Sequence, residues 1–273
     1  MKLKEIVYLL GLKPKPQTYG YDVITCDSAA DGAVEYARWQ HPRDQGRALK
    51  LEEVSVLRRF LKPGDGAVDI GSHTGDSTIP IALAVGKEGC VLALEPNPYV
   101  FPVLEKNSQL NLDKTNIVPL MFAAIPSDGE VVFEYSDSGY CNGGRHEGIS
   151  RWRHAHAFNL AVNGRNLEKY VRTEQSDLLP RIRFIKVDTE GFDLQVLKSI
   201  SGIIDEVKPY LKVEVFTRSP RQTREELIRF LRDRGYEVYR VVDESDYFGE
   251  KVDATNVMDW RHYDVFCVPG GCS

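Results

Sequence analysis

The chain has few cysteines, no long apolar run and no excess of positive charge, and each shortage removes a class of function. Its five cysteines, Cys26, Cys90, Cys141, Cys267 and Cys272, are an odd number, widely scattered, with no CxxC pair and no His/Cys spacing typical of zinc ligands. A reducing, cytoplasmic compartment is expected. No apolar run approaches the roughly 20 residues that a membrane span needs, so no membrane partner is expected. The opening MKLKEIVYLLGLKPKP superficially resembles a signal peptide, but Glu5 interrupts the apolar stretch and Lys-Pro-Lys-Pro stands where a small-residue cleavage site would be. It reads as a short amphipathic helix. With 35 basic and 40 acidic residues the formal net charge is -5, which provides no field to hold a polyanion nonspecifically. Nucleic acid is not an expected partner.

What is present is an alternation of strand-like and helix-like runs from about residue 51, the pattern of a parallel sheet covered on both faces. Leu51 to Leu61 reads as a helix stopped by Lys62-Pro63-Gly64. Strand Gly66–Ile70, helix Asp76–Val85, strand Cys90–Glu95 and helix Pro98–Leu110 follow, with Asn97 as the expected N-cap and Pro98 as the first helical residue. Ile117–Ile125, Arg183–Asp188 and Tyr210–Phe216 give three further strands. The helix Gln222–Gly235 opens on Thr223-Arg-Glu-Glu226, a capping-box pattern. Tyr236–Val242 and Tyr263–Pro269, with no helical pattern between them, read as an antiparallel terminal pair. The expected domain is residues 51–273, preceded by an N-terminal extension over 1–50. The long stretch 126–182 between the third and fourth strands is an insert expected to set specificity.

The turn Val68-Asp-Ile-Gly-Ser-His-Thr-Gly-Asp76 lies between the first strand and its helix, where ligands bind in open α/β sheets. Gly71 and Gly75 permit close approach, and the helix beyond offers unpaired N–H groups. The dinucleotide fingerprint G-x-G-x-x-G is missing, because position 73 is His. Asp69 at the strand end would also repel phosphate. Glu95, closing Leu92-Ala-Leu-Glu-Pro-Asn97, can accept hydrogen bonds from both hydroxyls of a ribose. A nucleoside cofactor carrying an amino group and a positive charge suits this loop better than one carrying phosphates. A nucleotide-sugar or dinucleotide oxidoreductase is the competing enzyme class, and a non-catalytic binder the competing non-enzyme.

VDIGSHTGD, LALEPN and above all IKVDTEGFDLQVL resemble the motifs of FkbM-family methyltransferases, and HYDVFCVP is similar to that family's last strand. The resemblance covers roughly residues 51–269. It implies a class I, Rossmann-like α/β fold: a seven-stranded, mostly parallel sheet with helices on both faces, dependent on S-adenosylmethionine. It further implies that Asp69, Gly71 and Gly75 shape the methionine end of the pocket, that Glu95 holds the ribose, that Asn97 lies near adenine or ribose, and that Ala124 lines the adenine pocket. Where the family commonly has Gly-Ala-Asn-x-Gly, this chain has Ser72 and His73 in place of the Ala-Asn pair. His73 then either caps the helix or touches the cofactor.

Three acids, Asp188, Glu190 and Asp193, stand where the apolar strand IKV stops. In a doubly wound sheet that end should emerge beside the Gly71–Gly75 loop. Asp188 and Glu190, two apart, would share a side if the strand continued, with Gly191 turning the chain away and Asp193 in the first turn of the next helix. Glu214, near the end of the fifth strand, is placed to join them. These acids could bind acceptor hydroxyls, act as a base, or hold Mg²⁺ through oxygen ligands; the bland alternative pairs Lys186 with one of them. In the insert, Asn142 and Arg151 are candidate acceptor contacts and His154 a candidate base, although His154 and His156 also fit a solvated lid. The resemblance to FkbM-family enzymes implies O-methylation of a hydroxyl on a sugar or natural product.

Overall fold

Every residue of strand β3 (Gly66–Ile70) is buried, as a near-continuous apolar run requires when helices cover both faces of a sheet. The structure is a computed structural model that describes residues 17–42, 44, 48–135 and 158–271. Around β3 the sheet contains β4 (Cys90–Leu94), β5 (Ile117–Leu120), β9 (Ile182–Val187), β10 (Tyr210–Val215), β11 (Tyr236–Arg240) and β12 (Tyr263–Pro269). Their order is β11-β12-β10-β9-β3-β4-β5. β12 pairs antiparallel with both β10 and β11, while β3, β4, β5, β9 and β10 run parallel. The chain steps outward from β3 through β4 to β5, then returns to place β9 on the other flank of β3. That reversal opens a crevice at the carboxyl ends of β3 and β9.

The alternation of side chains divides the core. Val68, Ile70, Leu92, Leu94, Ile185 and Val187 face one layer, packed by α5 (Asp193–Ser199), α6 (Ser201–Val207) and α7 (Arg221–Asp233). Ala67, Val91, Ala93 and Phe184 face the other, with α1 (Glu53–Leu57) and α2 (Thr78–Val85). Helix α2 is apolar all round and entirely buried, as expected of a helix with no solvent face.

Several expected boundaries moved, each for a local reason. The helix expected over 51–61 is confined to α1, and turns follow it. α2 begins at Thr78 rather than Asp76, because the hydroxyls of Ser77 and Thr78 turn back to Asp69. α3 (Phe101–Ser108) starts three residues after Pro98. Asn97 forms a turn ahead of it, its Oδ1 accepting the Tyr99 N–H at 2.9 Å, and Pro102 is the proline of the first helical turn. Thr223 and Glu226 lie inside α7, whose N-cap is Pro220, so they form no capping box; Glu226 instead pairs with Lys198 at 2.6 Å. The single strand expected over Ile117–Ile125 is two: β5 in the main sheet and β6 (Ala123–Ala124) in a separate three-stranded sheet.

In that second sheet β8 (Phe158–Arg165) lies between β6 and β7 (Gly129–Tyr135), antiparallel to β7. With α4 (Leu167–Glu174) it builds the described part of the insert. Asn166 caps α4, its side chain accepting the Lys169 N–H. The segment before residue 51 contains a hairpin, β1 (Tyr21–Ser28) with β2 (Gly32–Trp39), which sequence reading did not find. The helix expected within residues 1–16 lies outside the described residues. Among the described residues no helix is long and apolar enough to cross a membrane.

Candidate active site

The first strand's acid lies beneath the loop it introduces. Asp69 is 0% exposed, and its Oδ2 accepts the Ser77 hydroxyl at 2.8 Å and the Thr78 hydroxyl at 2.7 Å. A buried carboxylate needs such partners, and here they fix the start of α2 against the end of β3. The loop above is held as firmly. The N–H groups of Gly71 and Ser72 both reach Leu94 O, and the Ser72 hydroxyl donates to Asp69 O at 2.7 Å. Gly71 (φ 84°) and Gly75 (φ 92°) occupy the left-handed region, and so does His73 (φ 49°), where non-glycine residues are uncommon.

Glu95 follows β4 and is nearly fully buried. Its Oε2 accepts the His73 N–H at 3.1 Å and its Oε1 the Asn97 N–H at 2.7 Å. Burial pushes this carboxyl up to about 7, against the downward pull of those two donors. The side chain therefore joins the β3 loop to the β4 loop. Asn97 is itself buried beside it. Ala124, buried in β6, belongs to the second sheet and pairs with Arg165.

The acids expected at the end of β9 do meet this loop, and through the backbone. Asp188 N–H donates to Ile70 O at 3.0 Å, and a Cβ placed on Gly71 would lie 1.9 Å from Asp188 O. The glycine of one motif is thus required by the carbonyl of the other. Asp188 does not share an extended face with Glu190, because Glu190 (φ 55°) and Gly191 (φ 105°) turn the chain through left-handed backbone. Glu190 N–H instead donates to Glu214 Oε2 at 3.1 Å, which brings the two glutamates together as expected. Asp193 opens α5 and caps the turn, accepting Thr189 N–H and hydroxyl, each at 2.8 Å, and Gly191 N–H at 3.1 Å.

Lys186 sits between two of the acids, 3.4 Å from Asp69 Oδ1 and 3.2 Å from Asp188 Oδ2. Burial alone would lower its pKa, but the Asp188 and Asp69 charges outweigh that and hold the ammonium protonated. The pairing foreseen as the bland alternative therefore exists for Asp188. Burial would raise the Asp188 carboxyl, and Lys186 brings it below its ordinary value. The other acids go the opposite way. Glu214 is pushed up to about 11 by burial and by Asp188, Asp193, Glu190 and Asp264. Glu190 is pushed up to about 7 by burial, then by Asp188 and Asp193, with Arg218 opposing. Near neutrality Asp188 is ionised and Glu214 neutral, while Glu190 and Asp193, the latter also pushed up to about 7 chiefly by burial, are both poised to change state.

Two groups escaped sequence reading. His262 Nδ1 lies 3.6 Å from Glu214 Oε1 with its side chain 58% exposed, at the mouth of the cluster; its only signal was its position just before the last strand. Lys212 stands opposite Lys186 on the adjacent strand and pairs with buried Glu53 at 2.7 Å, while Tyr247 hydrogen-bonds the same carboxylate. Asn142, Arg151 and His154 lie outside the described residues. Among the described residues no group of three or more His, Cys, Asp or Glu side chains is arranged to hold a metal ion.

A sheet of this strand order, with a glycine loop after its central strand, an acid after the next and more acids on the opposite flank, defines the class I, Rossmann-like methyltransferase fold. The methyltransferase FkbM domain matches residues 69–238, more than half of the chain, and the chain belongs to that family. It is similar to the hexuronic acid methyltransferase AglP of Haloferax volcanii, at 27% identity over 169 residues, covering 60% of this chain and 62% of that protein. It is also similar to a protein-L-isoaspartate O-methyltransferase of Triticum aestivum, at 30% identity over 151 residues, covering 55% and 57%. The chain thus spans about three fifths of the length of these curated relatives. Among solved structures, the methyltransferase FkbM from Methylobacillus flagellatus aligns with a TM-score of 0.44 at 16% identity, over 75% of this chain and 44% of that one.

Proposed function

We propose that the protein transfers a methyl group from S-adenosylmethionine to a hydroxyl of a small, sugar-like acceptor. The observation that carries this reading is the contact between Gly71 and Asp188, which makes the glycine loop, Glu95 and the carboxylates of β9 and β10 one crevice. The residues suit the cofactor. Glu95 offers lone pairs to ribose hydroxyls, Asn97 lies beside it, and the acids across the loop favour a cationic sulfonium over a phosphate. Bound there, S-adenosylmethionine supplies an electrophilic methyl group. Asp188 and Glu190 orient the acceptor hydroxyl, and Glu190, in its ionised form, takes the hydroxyl proton. Glu214 holds the Glu190 backbone, and His262 beside it is a second group able to receive that proton. Residues 126–182 serve as the acceptor-specifying insert. The sugar assignment is supported by the similarity to the hexuronic acid methyltransferase. A chain of net charge -5 is a poor partner for nucleic acid.

Calorimetric titration with S-adenosylmethionine, S-adenosylhomocysteine and NAD⁺ tests the reading. The first two are expected to bind and NAD⁺ is not; binding of NAD⁺ alone would replace the methyltransferase by an oxidoreductase. The ribose assignment adds a pH dependence. A neutral Glu95 loses acceptor capacity, so affinity for S-adenosylhomocysteine should fall as pH drops through about 7. Glu95→Gln should bind more weakly and lose that dependence, which separates it from titration of the ligand's own amine. Affinity of Glu95→Gln equal to the parent's would remove Glu95 from the ribose site.

A further inference from the structure

We propose that the N-terminal hairpin is a working part of the cofactor site, and that Trp39 is a positioning residue that holds the His73 turn against Glu95. The inference rests on the S-adenosylmethionine reading of the loop. Its basis is a set of independent contacts joining β2 to residues 73–74, made on the side of the hairpin and α3 by residues that sequence reading left unassigned.

The first is a single buried amide. Asn107, on α3, accepts Ala37 N–H at 2.7 Å through Oδ1, while its Nδ2 donates to Ala37 O at 3.0 Å and to Thr74 O at 2.7 Å. One side chain therefore bonds the hairpin and the cofactor loop at once. Asn111, four residues on, repeats the clamp on Glu35, at 2.9 Å to its N–H and 2.8 Å to its carbonyl. Two asparagines thus satisfy the edge of β2 where a third strand would otherwise pair. The second contact is Tyr36 Oη to Thr74 Oγ1 at 3.1 Å, both residues fully buried. The third is aromatic. Trp39, 1% exposed, meets the His73 ring edge to face at 5.4 Å and stacks on His41 at 4.6 Å, with Tyr19 closing the group at 6.2 Å.

These contacts explain a feature of the loop that its own residues do not. His73 adopts a left-handed backbone, which a side-chain-bearing residue keeps only where its surroundings over-determine it. In that conformation its N–H points to Glu95. The indole Nε1 has no hydrogen-bond partner among the described residues, so ring packing holds Trp39 in place. It clusters with Val103 of α3 and with Val100 and Leu110, which flank that helix. Anything that frees Trp39 frees the His73 turn, and Glu95 loses one of its two backbone donors.

The full chain and four variants, Trp39→Ala, Trp39→Phe, Tyr36→Phe and Val23→Ala, would be titrated with S-adenosylhomocysteine and melted in parallel. Trp39→Ala is expected to weaken binding roughly tenfold, within the usual range of coupling between sites. Trp39→Phe should recover much of it, and Tyr36→Phe should lose about threefold. Val23, on the exposed face of β1, should change nothing when shortened. In turnover, KM for S-adenosylmethionine should rise with kcat little altered. Coupling is reciprocal, so ligand must slow amide exchange over Tyr21–Trp39 in the parent protein. A lower Tm with parental affinity in Trp39→Ala, or in Tyr36→Phe if the alanine variant does not fold, would reduce the hairpin to a structural element and overturn the proposal. Unchanged hairpin exchange at saturating ligand would do the same. A parent protein that binds no S-adenosylhomocysteine would instead defeat the cofactor reading, and this inference with it.

Discussion

Gly71→Ala is expected to lower stability by about 2–5 kcal/mol and to abolish measurable cofactor binding. The first part of the cost is backbone strain, since an L-residue at φ 84° gives up roughly 1–2 kcal/mol. The second is collision. The new methyl carbon would sit 1.9 Å from Asp188 O and 2.9 Å from Asp188 C, and overpacking of this kind typically costs about 1–3 kcal/mol. Backbone atoms cannot rotate away as a side chain does, so the end of β9 must separate from β3. That movement breaks the Asp188 N–H bond to Ile70 O and draws Asp188 from Lys186. Gly235→Ala is the control, because that glycine has a similar φ of 81° with nothing within 4 Å of an added Cβ. It should carry the strain alone. Thermal melts and calorimetry on both variants give the answer: equal losses would mean that the contact between the two motifs does not hold the crevice together.

The strands and motifs that form this crevice were legible because their residues answer to local rules. Buried parallel strands read as apolar runs, and β3, β4, β9, β10 and β12 fall within a residue or so of expectation. An acid or a glycine at a strand end marks a loop, so Asp69, Gly71, Glu95, Asp188 and Glu190 were all visible. What escaped was decided at a distance. Phe122, Ala123 and Ala124 are apolar and buried, so nothing in their pattern announces that the chain leaves the main sheet after Leu120 to pair with β8. The hairpin exposes Tyr21 and Val23 on one strand and is completed by Asn107 and Asn111, which read as ordinary polar positions around a helix end. Lys186 and Lys212 look like interruptions of apolar strands; only the register shows Asp69, Lys186 and Lys212 opposite one another on three neighbours. The left-handed turn at Glu190 was hidden for a related reason. Gly191 announced a turn, but the backbone of the residue before it is set by Glu214 from another strand.

That turn leads to the second large effect, expected for Glu190→Gln. A general base contributes typically about 10²–10⁴-fold to a rate, so turnover should fall within that range while cofactor affinity is retained. The carboxyl is pushed up to about 7, chiefly by burial and then by Asp188 and Asp193. At saturating S-adenosylmethionine, where the Glu95 dependence of binding no longer counts, turnover of the parent should therefore rise with pH through about 7 as Glu190 ionises, and the variant should lose that limb. Stability should move the other way. A carboxyl whose pKa is raised in the folded state stabilises the fold at low pH, and that stability is lost as pH rises from its unfolded value toward 7. The neutral amide escapes the loss, so at pH 8 Glu190→Gln should melt higher than the parent while turning over more slowly. Opposed changes of this kind mark a charge kept in place for chemistry at the expense of the fold. If Glu190 only positioned the chain, its backbone N–H would still reach Glu214, and the variant would keep both its rate and the slope of its pH profile. In that outcome the proton must leave by another group of the cluster, and His262, at 3.6 Å from Glu214, becomes the residue to replace next.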